Sequence, residues 1–375
     1  MTRLGVIVLA TPDSGGTYQY SLSMLEALRH AEGYEVTLYA DPSNQDFTRL
    51  GYPIRKFTEP RIKQLSYLAA NALGLRLDDP FDREDILISP VYSLAVLHTR
   101  KPFVYALHDL QEYQYPENFS WGQRFWRRSV HASLSRKAAR IICESRYVKS
   151  DIIRLFGAPE EKVAVIAAPP LRQTVVEMSS VELEAVRTRL GLPNRFVFYP
   201  AQFWPHKNHL RLIDAFTQVV AHEPELKLVL TGKKRDEYAA IVRAIEEADL
   251  GNNVQHLGYI AQADLQATYR LAVALVMPSL FESVSIPIYE AFQAGTPVAA
   301  SGILSIPEQM GDAGLLFDPL SSSSIAESIL RLVNDPDLAK QLKNRGRNKI
   351  ASMTPERYCS QLQNLLGGLS NGKAH

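Results

Sequence analysis

The 375 residues carry 41 Lys plus Arg against 40 Asp plus Glu, a net charge of +1, with 46% apolar and 22% charged residues. That much apolar surface can offset the entropy of ordering the chain, which excludes a disordered protein. The balanced charge gives no global reason for nucleic-acid binding. Two cysteines, Cys143 and Cys359, exclude a disulfide scaffold and a four-cysteine zinc site, and the length points to two domains.

The apolar residues 4–10 run into the turn Pro12-Asp13-Ser14-Gly15-Gly16 with no small-residue cleavage site. They read as a first buried strand rather than a signal peptide, and the protein is expected in the cytoplasm. Tyr18, Leu22, Leu25 and Leu28 follow at helical spacing. Residues 34–39, 86–89, 103–107 and 139–143 read as further strands. After about residue 170 the pattern restarts, with strands expected at 196–200, 226–231, 254–257, 272–277 and 296–300 and helices between them. Val273-Ala274-Leu275-Val276-Met277 is apolar without a break, as a strand covered on both faces requires. Two successive alternating sets predict an α/β protein of two doubly wound, Rossmann-like domains. The expected division is 1–170, a linker at 171–192 containing a polar helix, a second domain at 193–353, and a C-terminal helix at 354–375. That last helix is free to pack back on the N-terminal domain and to fray from Gly367. No apolar run approaches the ~20 residues of a membrane span.

In open α/β sheets, ligands bind beyond the carboxyl ends of the strands, and four such places carry chemistry. Gly15-Gly16 follows the first strand and lets the backbone approach a ligand, although the spacing is not G-x-G-x-x-G and an ordinary turn fits as well. His108-Asp109 follows residues 103–107, where a histidine can bond a sugar hydroxyl or phosphate or serve the fold alone. Gln202-Phe203-Trp204-Pro205-His206-Lys207-Asn208-His209 precedes a helix, and a cation there opposes the helix dipole unless an anion lies beside it. Last, Phe281-Glu282-Ser283-Val284-Ser285-Ile286-Pro287-Ile288-Tyr289-Glu290-Ala291 joins a buried strand to a short helix with proline in its first turn. The amides of 283–286 at that helix start form an anion site. Glu282 and Glu290 can accept hydrogen bonds from sugar hydroxyls.

Glu282 and Glu290 in this setting resemble the E-x7-E signature of retaining GT-B glycosyltransferases of family 4. The resemblance runs from Gly15-Gly16 through His108-Asp109 and the Lys207 segment to Gly295-Thr296-Pro297-Val298 and the stretch 311–319. It implies two domains facing a central cleft. It also implies that Glu290 holds the ribose hydroxyls, that Glu282 contacts the transferred sugar, and that amides of Val284 to Ile286 bind the diphosphate. Lys207 would then neutralise the leaving phosphate, His108 touch the donor sugar, Gly16 allow closure on the phosphates, and Tyr259 and Ile260 flank the base. Two departures stand out: Gln202 occupies a place where the family often has Arg, and Ser283-Val284-Ser285 replaces Gly-Phe-Gly. The implied activity is retaining transfer of a hexose, mannose- or rhamnose-like, from a nucleotide-diphosphate sugar to a glycan or lipid-linked acceptor in surface polysaccharide synthesis. The alternatives are a non-catalytic sugar-nucleotide-binding protein and a sugar-nucleotide epimerase. No metal or other cofactor is expected, because Asp335-Pro336-Asp337 reads as a turn and helix cap. Residues 121–140 hold Arg124, Arg127, Arg128, Arg136, Lys137 and Arg140 among Trp121, Phe125 and Trp126, without an acid. They fit a peripheral contact at the inner face of a membrane, or equally a core helix with a solvated face.

Overall fold

The structure is a computed structural model that describes residues 1–171 and 178–370. Residues 172–177 of the expected linker and 371–375 of the expected tail lie outside the described residues. Two compact units divide the chain: residues 1–171 together with 353–375, and residues 172–352.

The first unit is built on the strands β1 (Thr2–Ile7), β2 (Tyr34–Ala40), β3 (Ile54–Lys56), β4 (Ile86–Ser89), β5 (Phe103–Ala106), β6 (Arg140–Cys143) and β7 (Val163–Val165). They pair in parallel in the order β3-β2-β1-β4-β5-β6-β7. Its helices are α1 (Gly16–Leu28), α2 (Gln45–Arg49), α3 (Arg61–Ala72), α4 (Gln111–Gln114), α5 (Trp121–Lys137) and α6 (Arg146–Phe156). Successive side chains of β1 face opposite ways, so the sheet buries two cores. Leu4 and Val6 pack with Met24, Leu25 and Leu28 of α1. Ile7 joins Leu87 and Tyr105 beneath Val130 and Leu134 of α5 and Ile152 of α6.

The second unit has β8 (Phe196–Pro200), β9 (Lys227–Thr231), β10 (Val254–His256), β11 (Ala274–Met277), β12 (Val298–Ser301) and β13 (Leu315–Phe317). These also pair in parallel, in the order β10-β9-β8-β11-β12-β13. Around them lie α7 (Ser180–Leu190), α8 (His209–His222), α9 (Tyr238–Glu247), α10 (Gln262–Leu271), α11 (Ile286–Ala294), α12 (Ile306–Met310), α13 (Ser322–Asn334) and α14 (Pro336–Ala351). In both sheets the order reverses beside the first strand, between β1 and β4 and between β8 and β11. These are the switch points where a crevice opens for a ligand.

Two stretches differ from expectation. The segment expected as linker contains α7, which is packed structure of the second unit. Arg189 reaches Asp264 of α10 through two hydrogen bonds of 2.6 and 2.9 Å, and Val186 is buried. The C-terminal helix α15 (Pro355–Ser370) runs past Gly367, where fraying was expected, and belongs to the first unit. Its Tyr358, Cys359, Leu362 and Leu366 enter the core that contains α1 and β1. Asp335 caps α14 by accepting from the Leu338 amide at 2.9 Å. Among the described residues, no helix is long and apolar enough to cross a membrane.

Candidate functional site

In the second unit, Lys207 follows β8 and Glu282 follows β11, one on each side of the switch point. Several bonds fix the two loops to each other. The Leu280 amide donates to the His206 carbonyl at 2.7 Å. Asn208, at φ 60°, ends the turn 205–207 in the left-handed conformation that asparagine tolerates. Its side chain donates to the carbonyls of Pro278 and Pro319 at 2.9 and 2.8 Å. The Tyr199 hydroxyl donates to the Lys207 carbonyl at 2.7 Å. Ser305 Oγ donates to the Glu282 carbonyl at 2.9 Å and also reaches the Ser283 carbonyl. With both backbones held, Lys207 Nζ lies 2.6 Å from Glu282 Oε1, the two side chains being 20% and 11% exposed. Their charges neutralise each other beside the switch point.

Glu290 lies within α11 and is 6% exposed. Its Oε2 accepts from the Tyr269 hydroxyl at 2.7 Å, and Gln262 Nε2 stands 3.5 Å from Oε1. Burial raises its pKa against the opposing pull of those two donors. The amide set before α11 is smaller than expected. Ser285 is 1% exposed, and its N–H donates to Gln309 Oε1 at 2.8 Å while Gln309 Nε2 returns a bond to the Ser285 carbonyl at 2.7 Å. A side-chain amide therefore takes the Ser285 N–H. Ser283 and Val284 in the same loop, and Ile286 at the first position of α11, remain half-buried. Gln202 accepts from Arg235 Nε at 2.9 Å. Tyr259 is 78% exposed, with the half-buried Ile260 beside it.

Gly15, Gly16 and His108 belong to the first unit. Gly15 sits at φ 61°, ψ −121°, a conformation nearly confined to glycine, and Gly16 opens α1. Nothing lies within 4 Å of a Cβ built on Gly15, so the constraint is conformational rather than spatial. His108 is engaged at both ring nitrogens: Nε2 lies 2.8 Å from the Pro90 carbonyl and Nδ1 3.3 Å from Glu144 Oε2. Burial lowers its pKa, but the Glu144 bond and charge and the Pro90 carbonyl outweigh that, and the net shift is upward. Both partners accept, so the fully bonded ring is the imidazolium. To touch a sugar hydroxyl, His108 must give up one of them. Asp109 accepts from the Gln111 amide at 3.2 Å and from Arg127 at 2.9 Å. Arg127 also bonds the fully buried Glu112, while Arg128 and Lys137 donate to the carbonyls of Glu112 and Leu97. Arg127, Arg128 and Lys137 thus bond groups within the first unit, although Lys137 is itself exposed. Trp121 and Phe125, stacked at 5.7 Å, are 77% and 62% exposed.

Glu144, Tyr269, Gln309 and Arg235 were not singled out from the sequence. Arg235 did leave a trace there, in the run Lys233-Lys234-Arg235 directly after β9.

Residues 14–168 match the family model described as Glycosyltransferase Family 4, and residues 183–349 match the one described as Glycosyl transferases group 1. The chain belongs to the family 4, group 1 glycosyltransferases. O-antigen chain mannosyltransferase B of Escherichia coli is 28% identical over 271 residues, 71% of this chain and 70% of that one. O-antigen chain mannosyltransferase RfbU of Salmonella typhimurium is 23% identical over 341 residues, 88% of this chain and 90% of that one. The crystal structure of HepE from Anabaena, in complex with UDP and glucose, superposes at a TM-score of 0.77 with 20% identity, covering 98% of this glycosyltransferase and 100% of HepE. That likeness speaks to the fold, which is GT-B: two parallel-sheet α/β domains.

Proposed function

We propose that this glycosyltransferase moves a hexose, with mannose the first candidate, from a nucleotide-diphosphate sugar to a glycan or lipid-linked acceptor, retaining the anomeric configuration. The observation that carries the reading is the Lys207–Glu282 pair across the switch point of the second unit, with Glu290 buried in the helix that follows. The names of the mannosyltransferase relatives support the choice of sugar.

The chemistry follows from charge. Breaking the bond between the anomeric carbon and the diphosphate sends an electron pair to a phosphate oxygen and leaves positive charge on the sugar. A diphosphate delivered to Lys207 competes with Glu282 for the ammonium. Lys207 and the amides around Val284 and Ile286 then stabilise the departing phosphate. Glu282, released from its lysine, faces the cationic carbon. The acceptor oxygen bonds that carbon on the face the phosphate leaves, and its proton passes to the phosphate oxygen. Glu290 accepts from the ribose hydroxyls in this scheme. The cationic work falls to side chains and amides, so no metal is invoked. A cytoplasmic enzyme meeting a membrane-borne acceptor through Trp121 and Phe125 completes the proposal.

A thermal-shift panel of GDP, UDP, dTDP and ADP, free and as sugar conjugates, tests it. One base should raise the midpoint, by the equivalent of ~2.7 kcal/mol at a hundred times its dissociation constant. Glu282→Ala should abolish most transfer while sparing nucleotide binding, and Lys207→Ala should weaken the diphosphate. Silence from a saturating panel, or full transfer by Glu282→Ala, refutes the reading.

A further inference from the structure

Three consecutive cations, Lys233, Lys234 and Arg235, follow β9. Their loop is stitched to the loops after both neighbouring strands. The Phe203 amide donates to the Lys233 carbonyl at 3.3 Å, and the Glu237 amide to the Phe203 carbonyl at 3.3 Å. The Gly232 amide donates to the Gly258 carbonyl at 2.9 Å. Gly232 is at φ 145°, and a Cβ there would stand 2.2 Å from the Ala201 carbonyl oxygen, so the two backbones meet without room for a side chain.

On this frame all three cations lie over aromatic rings. Lys233 is 5.5 Å from the Tyr259 centroid, Lys234 4.5 Å from Tyr238, and the Arg235 guanidinium 5.0 Å from Trp204. Arg235 Nε donates to Gln202 at 2.9 Å. Among the described residues, no carboxylate pairs with any of the three. Three adjacent like charges repel one another, and aromatic faces orient them without neutralising them. An anion carrying two or more charges does so. A guanidinium offers five N–H donors, of which Gln202 uses one, leaving the fork that suits phosphate.

We propose that Arg235 binds the diphosphate of the donor, supplying beside the end of β8 the guanidinium that this sequence lacks at Gln202. Lys233 on Tyr259 extends the same positive surface towards the base. The inference rests on the donor-site reading above and adds a residue to it.

Titration calorimetry with whichever of GDP, UDP, dTDP and ADP binds the wild-type chain, and with the matching monophosphate, provides the test. Arg235 is exposed, so Arg235→Ala should melt like wild type without nucleotide. It should bind the diphosphate about tenfold more weakly while the monophosphate changes much less. Gln202→Arg in the Arg235→Ala background should restore most of the loss by returning a guanidinium to β8. Unchanged diphosphate affinity in Arg235→Ala, with a loss in Lys207→Ala, overturns the inference and leaves the donor site standing. Failure of the wild type to bind any of the four overturns both.

Discussion

Lys207 and Glu282 are 75 positions apart in the sequence yet 2.6 Å apart in the structure. Each residue could be suspected alone, from a lysine before a helix and a glutamate before another. Their pairing depends on β8 and β11 being sheet neighbours, which no local pattern encodes. The same holds for Arg235 on Gln202, where the partner comes from another loop, and for Gln309 on Ser285, where it comes from α12. Buried imidazoles make the residue scale measurable. Burial, reinforced by the charge of Arg127, lowers the His131 pKa to about 4. Burial with Lys207 lowers that of His209 to about 3. Between those values and 6.5 the folded chain holds fewer protons than the unfolded one. The stability they contribute is therefore present above pH 6.5 and lost as pH falls, by up to ~2 kcal/mol each at pH 5. His108 acts in the opposite sense: its raised pKa adds stability below 6.5 that is lost as pH rises through the folded value. The melting midpoint should thus drop from pH 7.5 to 5, and His209→Leu should make the drop shallower. An unchanged slope in that variant contradicts the assignment.

Among the elements, those with continuous apolar runs were legible. β11 is 0–1% exposed throughout and falls inside an unbroken apolar stretch. The strands that escaped notice, β3, β7 and β13, have three residues each and lie at sheet edges, partly exposed, and so short a run is not distinguished from apolar loop or helix residues. The loops carry the chemistry, and their shape depends on close backbone approaches that leave only a glycine as a trace. Gly232 tests this. Alanine there combines an unfavourable φ with a collision against Ala201, and should cost ~1–3 kcal/mol. Gly232→Ala should therefore melt several degrees lower and bind nucleoside diphosphate more weakly than wild type. A variant with the wild-type midpoint shows that the loop accommodates the methyl group.

At the scale of the whole molecule, the two alternating sets of strands and helices gave the fold class, because each domain's period restarts in the sequence. What they did not disclose is that α7 is packed on the second unit; α15, read from the spacing of its apolar residues as free to pack back on the N-terminal domain, is part of the first unit. Tyr358, Cys359, Leu362 and Leu366 are each 2% exposed or less, and Gln363 bonds the Glu32 carbonyl at 3.0 Å. Burying a large apolar side chain is worth ~1.5–3 kcal/mol, so together these approach the ~5–15 kcal/mol that stabilises a domain. A chain ending at Ser352 should lose the cooperative melt of the first unit and bind hydrophobic dye. Retention of that melt shows that α15 is an accessory.

The return of α15 also imposes a timetable on synthesis. The second unit is continuous, so all of its residues have been made before the helix that closes the first exists. At ~5–20 residues per second, the first sheet waits roughly 10–40 s between its last strand and its covering helix. Throughout that interval Leu4, Val6 and Met24 lack their final partners. The nascent chain is therefore most exposed to aggregation in its earliest-made half, and chaperones have their longest opportunity there.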